Sequence, residues 1–189
     1  MIIGITGNIG AGKTTVAKIF EGFGAEVIDA DRLGWEFLKK GTMEYKEIVK
    51  NFGKSFLNPD GSIDRKKLAK IIFSAPKNRE TLNRIVHPGI VKEIKKRIKK
   101  SKRVIVIDAA LLLDWDIPTD RIIVVTAPER IKIERLRKEG YTEKEALLRM
   151  RSQKSEKELI KKADYVIENT GSIEELKNKC RRIWNSIYK

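Results

Sequence analysis

The sequence predicts an α/β protein with a five-stranded, mostly parallel sheet flanked by helices. Several short apolar runs rich in Ile and Val are nearly continuous, as strands are when helices cover both faces of a sheet. Segments of helical periodicity lie between these runs, and this alternation is typical of a doubly wound sheet. The 189-residue length suits one domain, 1–189, with an inserted subdomain.

The predicted strands are short and rich in β-branched residues. They cover residues 2–5, 27–28, 104–107, 122–125 and 165–167. A helix is predicted over 15–23, because Val16, Ile19 and Phe20 share one face. Leu136 and Ala146 mark later helices.

The segment between the second and third strands is long and contains no strong strand pattern. Its apolar residues have helical spacing, so we expect a helical insertion over 32–101 beside the sheet. Asn58 to Gly61 form a predicted turn. Pro76 and Pro88 are predicted to interrupt helices, and His87 is expected in an extended or helix-boundary conformation because it precedes Pro88.

The composition excludes several classes of protein. The apolar fraction of 41% excludes a wholly disordered chain. No run approaches the roughly 18 apolar residues of a membrane helix, and the first residues carry no charged region typical of a signal peptide. The single cysteine, Cys180, cannot form an internal disulfide. We therefore expect a cytoplasmic protein that is not bound to a membrane.

The net charge of +15 leaves three explanations open. It fits nucleic-acid binding, a protein that handles polyphosphates, or a heat-adapted surface rich in Lys and Glu. The basic run over 92–103 has eight Lys or Arg against one Glu. A solvated helix face is the favoured explanation of this run, since Ile94 and Ile98 supply a separate apolar face.

The strongest motif begins at Gly7 and ends at Thr14, and it fits G-x-x-x-x-G-K-[ST] at every position. It lies between the first predicted strand and the first predicted helix, where a phosphate-binding loop must lie. Glycines let the backbone amides approach phosphate oxygens, and the following helix points its N-terminal amides at the same anion. Lys13 provides a cation for the β- and γ-phosphates, and the Thr14 hydroxyl can bind Mg²⁺. The predicted triphosphate site comprises Gly7, Gly10, Ala11, Gly12, Lys13, Thr14 and Thr15.

The loop alone does not distinguish GTPases, ATPases, kinases and motor proteins. The Asn-Lys-x-Asp segment by which GTPases read guanine is absent from the sequence, and the chain is too short for a typical AAA-type ATPase. A small-molecule kinase needs an acceptor pocket, a carboxylate near the acceptor hydroxyl and a lid that excludes water. The sequence offers candidates for all three.

Acidic residues follow two of the predicted strands. Asp29 and Asp31 come at the end of the second strand, where they would point the same way if the strand continued. Either could orient or deprotonate an acceptor hydroxyl, and Asp31 could equally cap a helix. Asp108 ends the third strand, and it resembles the acid that organises Mg²⁺, with water as the expected link. A plain turn residue is the alternative.

The lid candidate is the basic region over 129–157. Arg135 and Arg137 cannot share one helix face, so most of these cations are expected on the solvated surface. His87 is the single histidine of the sequence, and a hydrogen bond in a helical pocket or a structural role are equally open for it.

These features resemble the dephospho-CoA kinase family over nearly the whole length. The sequence Asp29-Ala30-Asp31, the His87-Pro88 step and the Ala-Asp-Tyr-Val-Ile-x-Asn segment ending at Asn169 are more specific than the loop. The matching pieces are, in family order, residues 3–17, 27–31 and 61–65, then His87-Pro88, Gln153, residues 163–167, Asn169 and Gly171.

The resemblance implies a P-loop kinase fold and transfer of the ATP γ-phosphoryl group to the ribose 3′-hydroxyl of dephospho-CoA. It implies Asp31 as the acceptor-side carboxylate and a mobile lid that carries Arg135. It also implies that the insertion with Arg65 and His87 shapes the dephospho-CoA pocket, and that Asn169 to Gly171 lie near the adenine of ATP.

The sequence departs from the family pattern at two places. Residues 110–114 read Ala-Leu-Leu-Leu-Asp where the family often has Pro-Leu-Leu-Phe-Glu. In the lid, Lys132 replaces a Gln and Glu139 falls where a second Arg is usual, so Arg137 or Lys138 would act with Arg135.

The function predicted from the sequence is therefore that of a dephospho-CoA kinase using ATP and Mg²⁺. Lys13, Asp31 and Arg135 are the predicted catalytic residues, with no nucleic-acid partner and a monomer or weak homo-oligomer expected. Two alternatives are another small P-loop kinase acting on a nucleotide or nucleoside, and a nucleic-acid-linked switch driven by a nucleoside triphosphate. The second would require strongly salt-dependent nucleic-acid binding.

Overall fold

The predicted α/β architecture is confirmed in a computed structural model of the chain, which describes residues 1–187. Within those residues the sheet has five strands in the order β2-β3-β1-β4-β5, and all neighbouring pairs are parallel. The strands are β1 (Ile2–Thr6), β2 (Glu26–Asp29), β3 (Ile105–Asp108), β4 (Arg121–Thr126) and β5 (Tyr165–Glu168). Each includes most or all of a run that the sequence predicted as a strand.

Helices connect the strands. They are α1 (Lys13–Gly22), α2 (Ala30–Phe37), α3 (Met43–Phe52), α4 (Arg65–Ser74), α5 (Pro76–Lys100), α6 (Glu129–Lys138), α7 (Glu143–Arg151), α8 (Glu156–Ile160) and α9 (Ile173–Ile187). A short 3₁₀ turn, Leu112–Asp114, follows β3. None of the helices described in residues 1–187 is long and apolar enough to cross a membrane.

The centre of the sheet is β1, which pairs with β3 on one side and β4 on the other. Ile3 and Ile5 are completely buried, as expected for a strand with neighbours on both sides and helices above and below. In the parallel register Ile5 and Asp29 both lie level with Asp108. The carboxyl ends of β1, β2 and β3 therefore meet at one edge, which is where ligands bind in open α/β sheets.

Helices α1 and α9 cover one face of the sheet and contain its main aromatic contacts. Phe20 packs against Trp184 with ring centroids 5.7 Å apart at an angle of 79°, an edge-to-face arrangement. Phe23 lies 6.1 Å from Phe20 and 5.8 Å from Trp184. Cys180 of α9 is completely buried in the same core.

The chain forms two compact units: Met1–Asp29 together with the chain from Arg97 onward, and Ala30–Lys96. The first unit contains the whole sheet. The second contains α2, α3, α4 and most of α5, around a core that includes Ile48, Phe56 and Leu68. The insertion expected over 32–101 and the lid expected over 129–157 remain predictions as functional regions.

One helix prediction is wrong. Pro76 does open α5, but Pro88 lies inside it rather than at a boundary, so His87 is helical rather than extended. Proline in a helix interior removes one hydrogen bond and costs about 3 kcal/mol. Val86 and Ile90 are buried on either side of Pro88, and this packing outweighs the local cost.

Candidate active site

The phosphate loop connects β1 to α1 through three glycines with positive φ. Gly7, Gly10 and Gly12 have φ of 148°, 78° and 96°, which side chains other than glycine rarely adopt. A side chain at Gly7 would also collide with the Val125 carbonyl oxygen, and one at Gly12 would collide with the Asn169 amide. The glycines of the motif are therefore required both by the loop's dihedral angles and by the residues packed against it.

The carbonyl groups of the loop are held from outside by two side chains. Arg135 Nη1 donates to Gly10 O at 3.2 Å and to Ala11 O at 3.1 Å. Asn169 Nδ2 donates to Ala11 O at 2.9 Å. Because the C=O and N–H of a trans peptide point in opposite directions, the two bonds to Ala11 O turn the following N–H, that of Gly12, the other way. The arrangement is that of an anion cradle, with the N-terminus of α1 beginning at Lys13.

Thr14 and Asp108 form the polar pair at the base of the site. Thr14 Oγ1 donates to Asp108 Oδ2 at 2.7 Å, and Asp108 is buried at the carboxyl end of β3. A hydroxyl and a carboxylate are the oxygen ligands that Mg²⁺ takes, usually with waters and substrate phosphates completing its octahedron. In the described residues no group of three or more His, Cys, Asp or Glu side chains could hold a metal ion. The Thr14–Asp108 pair thus fits the share of a Mg²⁺ coordination sphere that a protein supplies beside substrate phosphates and water.

The candidate acceptor-side residues Asp31, Arg65 and His87 belong to the second compact unit, whereas Asp29 ends the first stretch of the sheet unit. Asp31 is exposed in the first turn of α2. The expectation that Asp29 and Asp31 could share a strand face is wrong, because β2 ends at Asp29 and α2 begins at the next residue. Arg65 opens α4 with its guanidinium carbon 4.2 Å from the Trp35 ring centroid, and His87 is half-buried in α5.

The basic residues of the lid region have different surroundings. Arg135 faces the phosphate loop, where its Nη2 also donates to Asn169 O at 3.0 Å, while Arg137 is exposed. Lys138 donates to Glu134 at 3.1 Å, and this bond lowers the pKa of the Glu134 carboxyl. Lys132 is buried and pairs with Glu156 at 3.0 Å. Of these cations, Arg135 therefore bonds to the loop, while the charges of Lys132 and Lys138 are paired with glutamates.

The two candidate residues near the C-terminus, Asn169 and Gly171, also have different surroundings. Asn169 is buried against the loop, and its backbone N–H donates to Thr126 O at 2.8 Å. Gly171 is exposed just before α9.

Sequence reasoning assigned no role to two residues that contact the loop. Asn8 is buried within the loop, and its Nδ2 donates to Lys154 O at 3.0 Å. Gln153 Oε1 accepts a hydrogen bond from Ile9 N–H at 2.8 Å. Asn8 and Ile9 occupy variable positions of the motif, so the motif gives no signal for them, and Gln153 is distant from it in sequence.

Comparison with known proteins decides between the enzyme classes that share such a loop. The family model for CoaE, dephospho-CoA kinase, matches residues 1–175. The chain belongs to the dephospho-CoA kinase family. A curated dephospho-CoA kinase from Aquifex aeolicus is 41% identical over 189 residues, covering 98% of this chain and 96% of its own.

Solved structures agree with this family assignment. A crystal structure of a Thermus thermophilus protein is 30% identical with a TM-score of 0.80, covering 98% of this chain and 97% of its own. Dephospho-CoA kinase from Campylobacter jejuni is 26% identical with a TM-score of 0.64, covering 98% and 96%. Dephospho-CoA kinases are ATP-dependent phosphotransferases, and neither alternative raised by the sequence is favoured by these likenesses.

Proposed function

We propose that this protein transfers the γ-phosphoryl group of ATP to the 3′-hydroxyl of the dephospho-CoA ribose, giving CoA and ADP. The observation that carries the proposal is the complete phosphate loop with its Thr14–Asp108 pair, in a chain whose family model matches residues 1–175. In the reaction a ribose oxygen–phosphorus bond forms, the bond between the γ-phosphorus and the β–γ bridging oxygen breaks, and ADP leaves. The hydroxyl proton passes to a base or to water.

The loop supplies the donor side of the reaction. Gly7, Gly10, Gly12 and the start of α1 place backbone N–H groups around the phosphates, and Lys13 provides a compact positive charge. Phosphoryl transfer depends on positioning and on spreading charge from the transferring group, so these donors act mainly in the transition state. Arg135 holds the loop carbonyls, and its proposed catalytic role is to spread charge from the transferring phosphoryl group.

Thr14 and Asp108 are the proposed residues of the Mg²⁺ site, with Asp108 acting through water. Their bond of 2.7 Å joins the start of α1 to the end of β3 and sets the two oxygens side by side. When bound, Mg²⁺ neutralises charge on the β- and γ-phosphate oxygens.

Asp31 is the proposed acceptor-side carboxylate, aligning the ribose hydroxyl for in-line attack and taking its proton. Its support is the Asp-Ala-Asp segment at the end of β2 and its exposure on α2. Arg65 and His87 are proposed to bind the pyrophosphate-bearing substrate. The +15 charge has a use in such a site without any nucleic acid.

The region 129–157 is the proposed lid, which would exclude water because hydrolysis of ATP competes with transfer. We also propose that the enzyme works in the cytoplasm as a monomer or weak homo-oligomer. Light scattering on the purified protein measures the oligomeric state.

The deciding experiment measures ADP release from ATP and Mg²⁺ with and without dephospho-CoA, using AMP and adenosine as control acceptors. Strong stimulation by dephospho-CoA, with CoA as the product and no turnover when Mg²⁺ is omitted, is the expected result. Stimulation by a control acceptor alone would keep the kinase class and reject this substrate. A folded protein that binds ATP without acceptor-dependent turnover would reject kinase activity.

A further inference from the structure

The peptide that joins Asn8 to Ile9 is held at both of its polar ends. Its carbonyl oxygen, Asn8 O, accepts a hydrogen bond from Ala11 N–H at 3.1 Å, which closes a turn within the phosphate loop. Its N–H, on Ile9, donates to Gln153 Oε1 at 2.8 Å. Because the peptide is planar, these two bonds together fix its rotation about the chain. One of them depends on a side chain 144 positions away in sequence.

Gln153 reaches the loop from the segment between α7 and α8. The next residue, Lys154, accepts the bond from Asn8 Nδ2 through its backbone carbonyl at 3.0 Å. The segment is fixed at its other side as well, since Lys154 forms an ion pair with Asp114 in the turn after β3. The segment that carries Gln153 is therefore held in place by contacts of its own.

We propose that Gln153 is a positioning residue for phosphoryl transfer, which locks the Asn8–Ile9 peptide in the orientation that shapes the phosphate loop. This rests on the proposed kinase function. Gln153 does not contact the phosphates itself; it acts through Ile9 N–H and, across the same peptide, through the turn that engages Ala11 N–H.

The two halves of the loop are then held by different residues. Arg135 and Asn169 hold the carbonyls of Gly10 and Ala11, whereas Gln153 holds the amide of Ile9. Loss of the Gln153 acceptor leaves a half-buried N–H without its partner, and the peptide rotates to find another. The donors that follow it in the loop then move, and sub-ångström misplacement of reacting groups lowers turnover.

The test compares Gln153→Leu, Gln153→Glu and Ser186→Ala with the wild type in the dephospho-CoA-dependent assay. Leu has a similar volume but no acceptor oxygen. Glu restores an acceptor oxygen, although its charge near ATP raises the KM for ATP, so kcat is the deciding quantity. Ser186 is the control, because its Oγ donates to Ile183 O at 2.8 Å within α9, outside the proposed lid and the insertion.

We expect Gln153→Leu to lower kcat about tenfold with a smaller change in the KM for ATP. Gln153→Glu should recover kcat to within about threefold of the wild type, and Ser186→Ala should stay within about twofold. Circular dichroism and thermal unfolding confirm that each variant is folded.

The proposal is overturned if Gln153→Leu keeps kcat within about threefold of the wild type, or if Gln153→Glu is as slow as Gln153→Leu. The second result would indicate a packing role rather than an acceptor role. If the wild type itself shows no acceptor-dependent turnover, the proposed function fails. The same kcat criterion then applies to the slow hydrolysis of ATP without acceptor, which needs the same loop shape.

Discussion

Lys13 is the one side chain of the phosphate loop that brings a full positive charge at the start of α1. Lys13→Ala should lower kcat at least about 100-fold, since a charge aimed at the transferring group acts mainly in the transition state. The matched control is Lys18→Ala, which removes an exposed lysine from the same helix and should leave kcat unchanged. Steady-state ADP release measures both. A Lys13→Ala enzyme with normal kcat would contradict the assignment of the loop.

Asp31 and Asp29 are both candidates for the acceptor-side carboxylate, and two isosteric variants distinguish them. Asp31→Asn should lower kcat by about 10² to 10⁴ with a smaller effect on the KM for ATP, because it removes a base and not a nucleotide contact. Glu36→Gln on the same helix, where Glu36 pairs with Lys39, is the control. If Asp29→Asn carries the loss of kcat instead, the role belongs to Asp29. A main effect of Asp31→Asn on ATP binding would place Asp31 with the metal.

Single residues of the site were predictable where a motif fixes the backbone. Gly7, Gly12 and Thr14 follow from a loop whose dihedral angles and ligand chemistry allow few residue types. Gln153 matched the family pattern, but its contact with the loop did not follow, because its partner is a backbone N–H and nearly any sequence position offers one. Contacts of side chains with distant backbone carry no signature in a single sequence, and they need the fold.

At the scale of elements, buried strands were easier to predict than helix boundaries. The run at 104–107 is apolar throughout, and β3 is buried at every position. Helix α5 shows that helix boundaries are harder to predict. Pro88 disfavours a helix locally, but the burial of Val86 and Ile90 on either side of it keeps the helix continuous. The predicted strand 27–28 lies inside β2, but α2 begins at Ala30, before the helix cap that the sequence offered at Asp31.

The N-cap of helix α4, Asp64, allows a test of how much one helix cap contributes to the stability of the protein. Asp64 accepts hydrogen bonds from Lys66 N–H at 2.9 Å and Lys67 N–H at 3.0 Å. The bond from Lys67 N–H is the main cause that lowers the pKa of Asp64 below its usual 3.8. A depressed carboxyl pKa means that the stabilisation is present above the unfolded pKa and is lost as the pH falls through the folded one.

Asp64→Ala should therefore lower the Tm at pH 7 by about 2–4 °C, while Asp64→Asn, which caps without titrating, should stay near the wild type. Lowering the pH from 7 to about 3 should lower the Tm of the wild type more than it lowers the Tm of Asp64→Asn. Thermal unfolding followed by circular dichroism measures both effects. Equal losses in the two proteins would show that the cap does not titrate with folding.

At the scale of the whole molecule, the residues proposed for the reaction divide between the two compact units. The sheet unit carries the phosphate loop, and the unit Ala30–Lys96 carries Asp31, Arg65 and His87. The excess of cations suits substrates with a triphosphate and a pyrophosphate. The sequence predicted the charge but not how it is used, since Lys132 is buried in an ion pair while Arg137 is exposed.

Cys180 reports on the stability of the sheet unit, because it is the single cysteine of the sequence and is completely buried in the core between α9 and the sheet. Burial raises the pKa of its thiol from 9.0 to about 11. The folded state disfavours the thiolate. The contribution of the neutral Cys180 thiol to folding stability is therefore full below pH 9 and is lost as the pH rises from 9 towards 11.

Native protein at pH 8 should therefore react with iodoacetamide at least about 100-fold more slowly than protein unfolded in denaturant, since reaction needs an exposed thiolate. Urea unfolding at pH 8 and pH 10 should show that the wild type loses about 1.4 kcal/mol more stability than Cys180→Ala for each pH unit above 9. The variant cancels the titration of Lys and Tyr, which both proteins share. Identical pH dependence in the two proteins would mean that Cys180 ionises equally well in the folded and unfolded states. Rapid native alkylation would mean that α9 separates from the sheet far more often than the packing of its Trp184 against Phe20 of α1 implies.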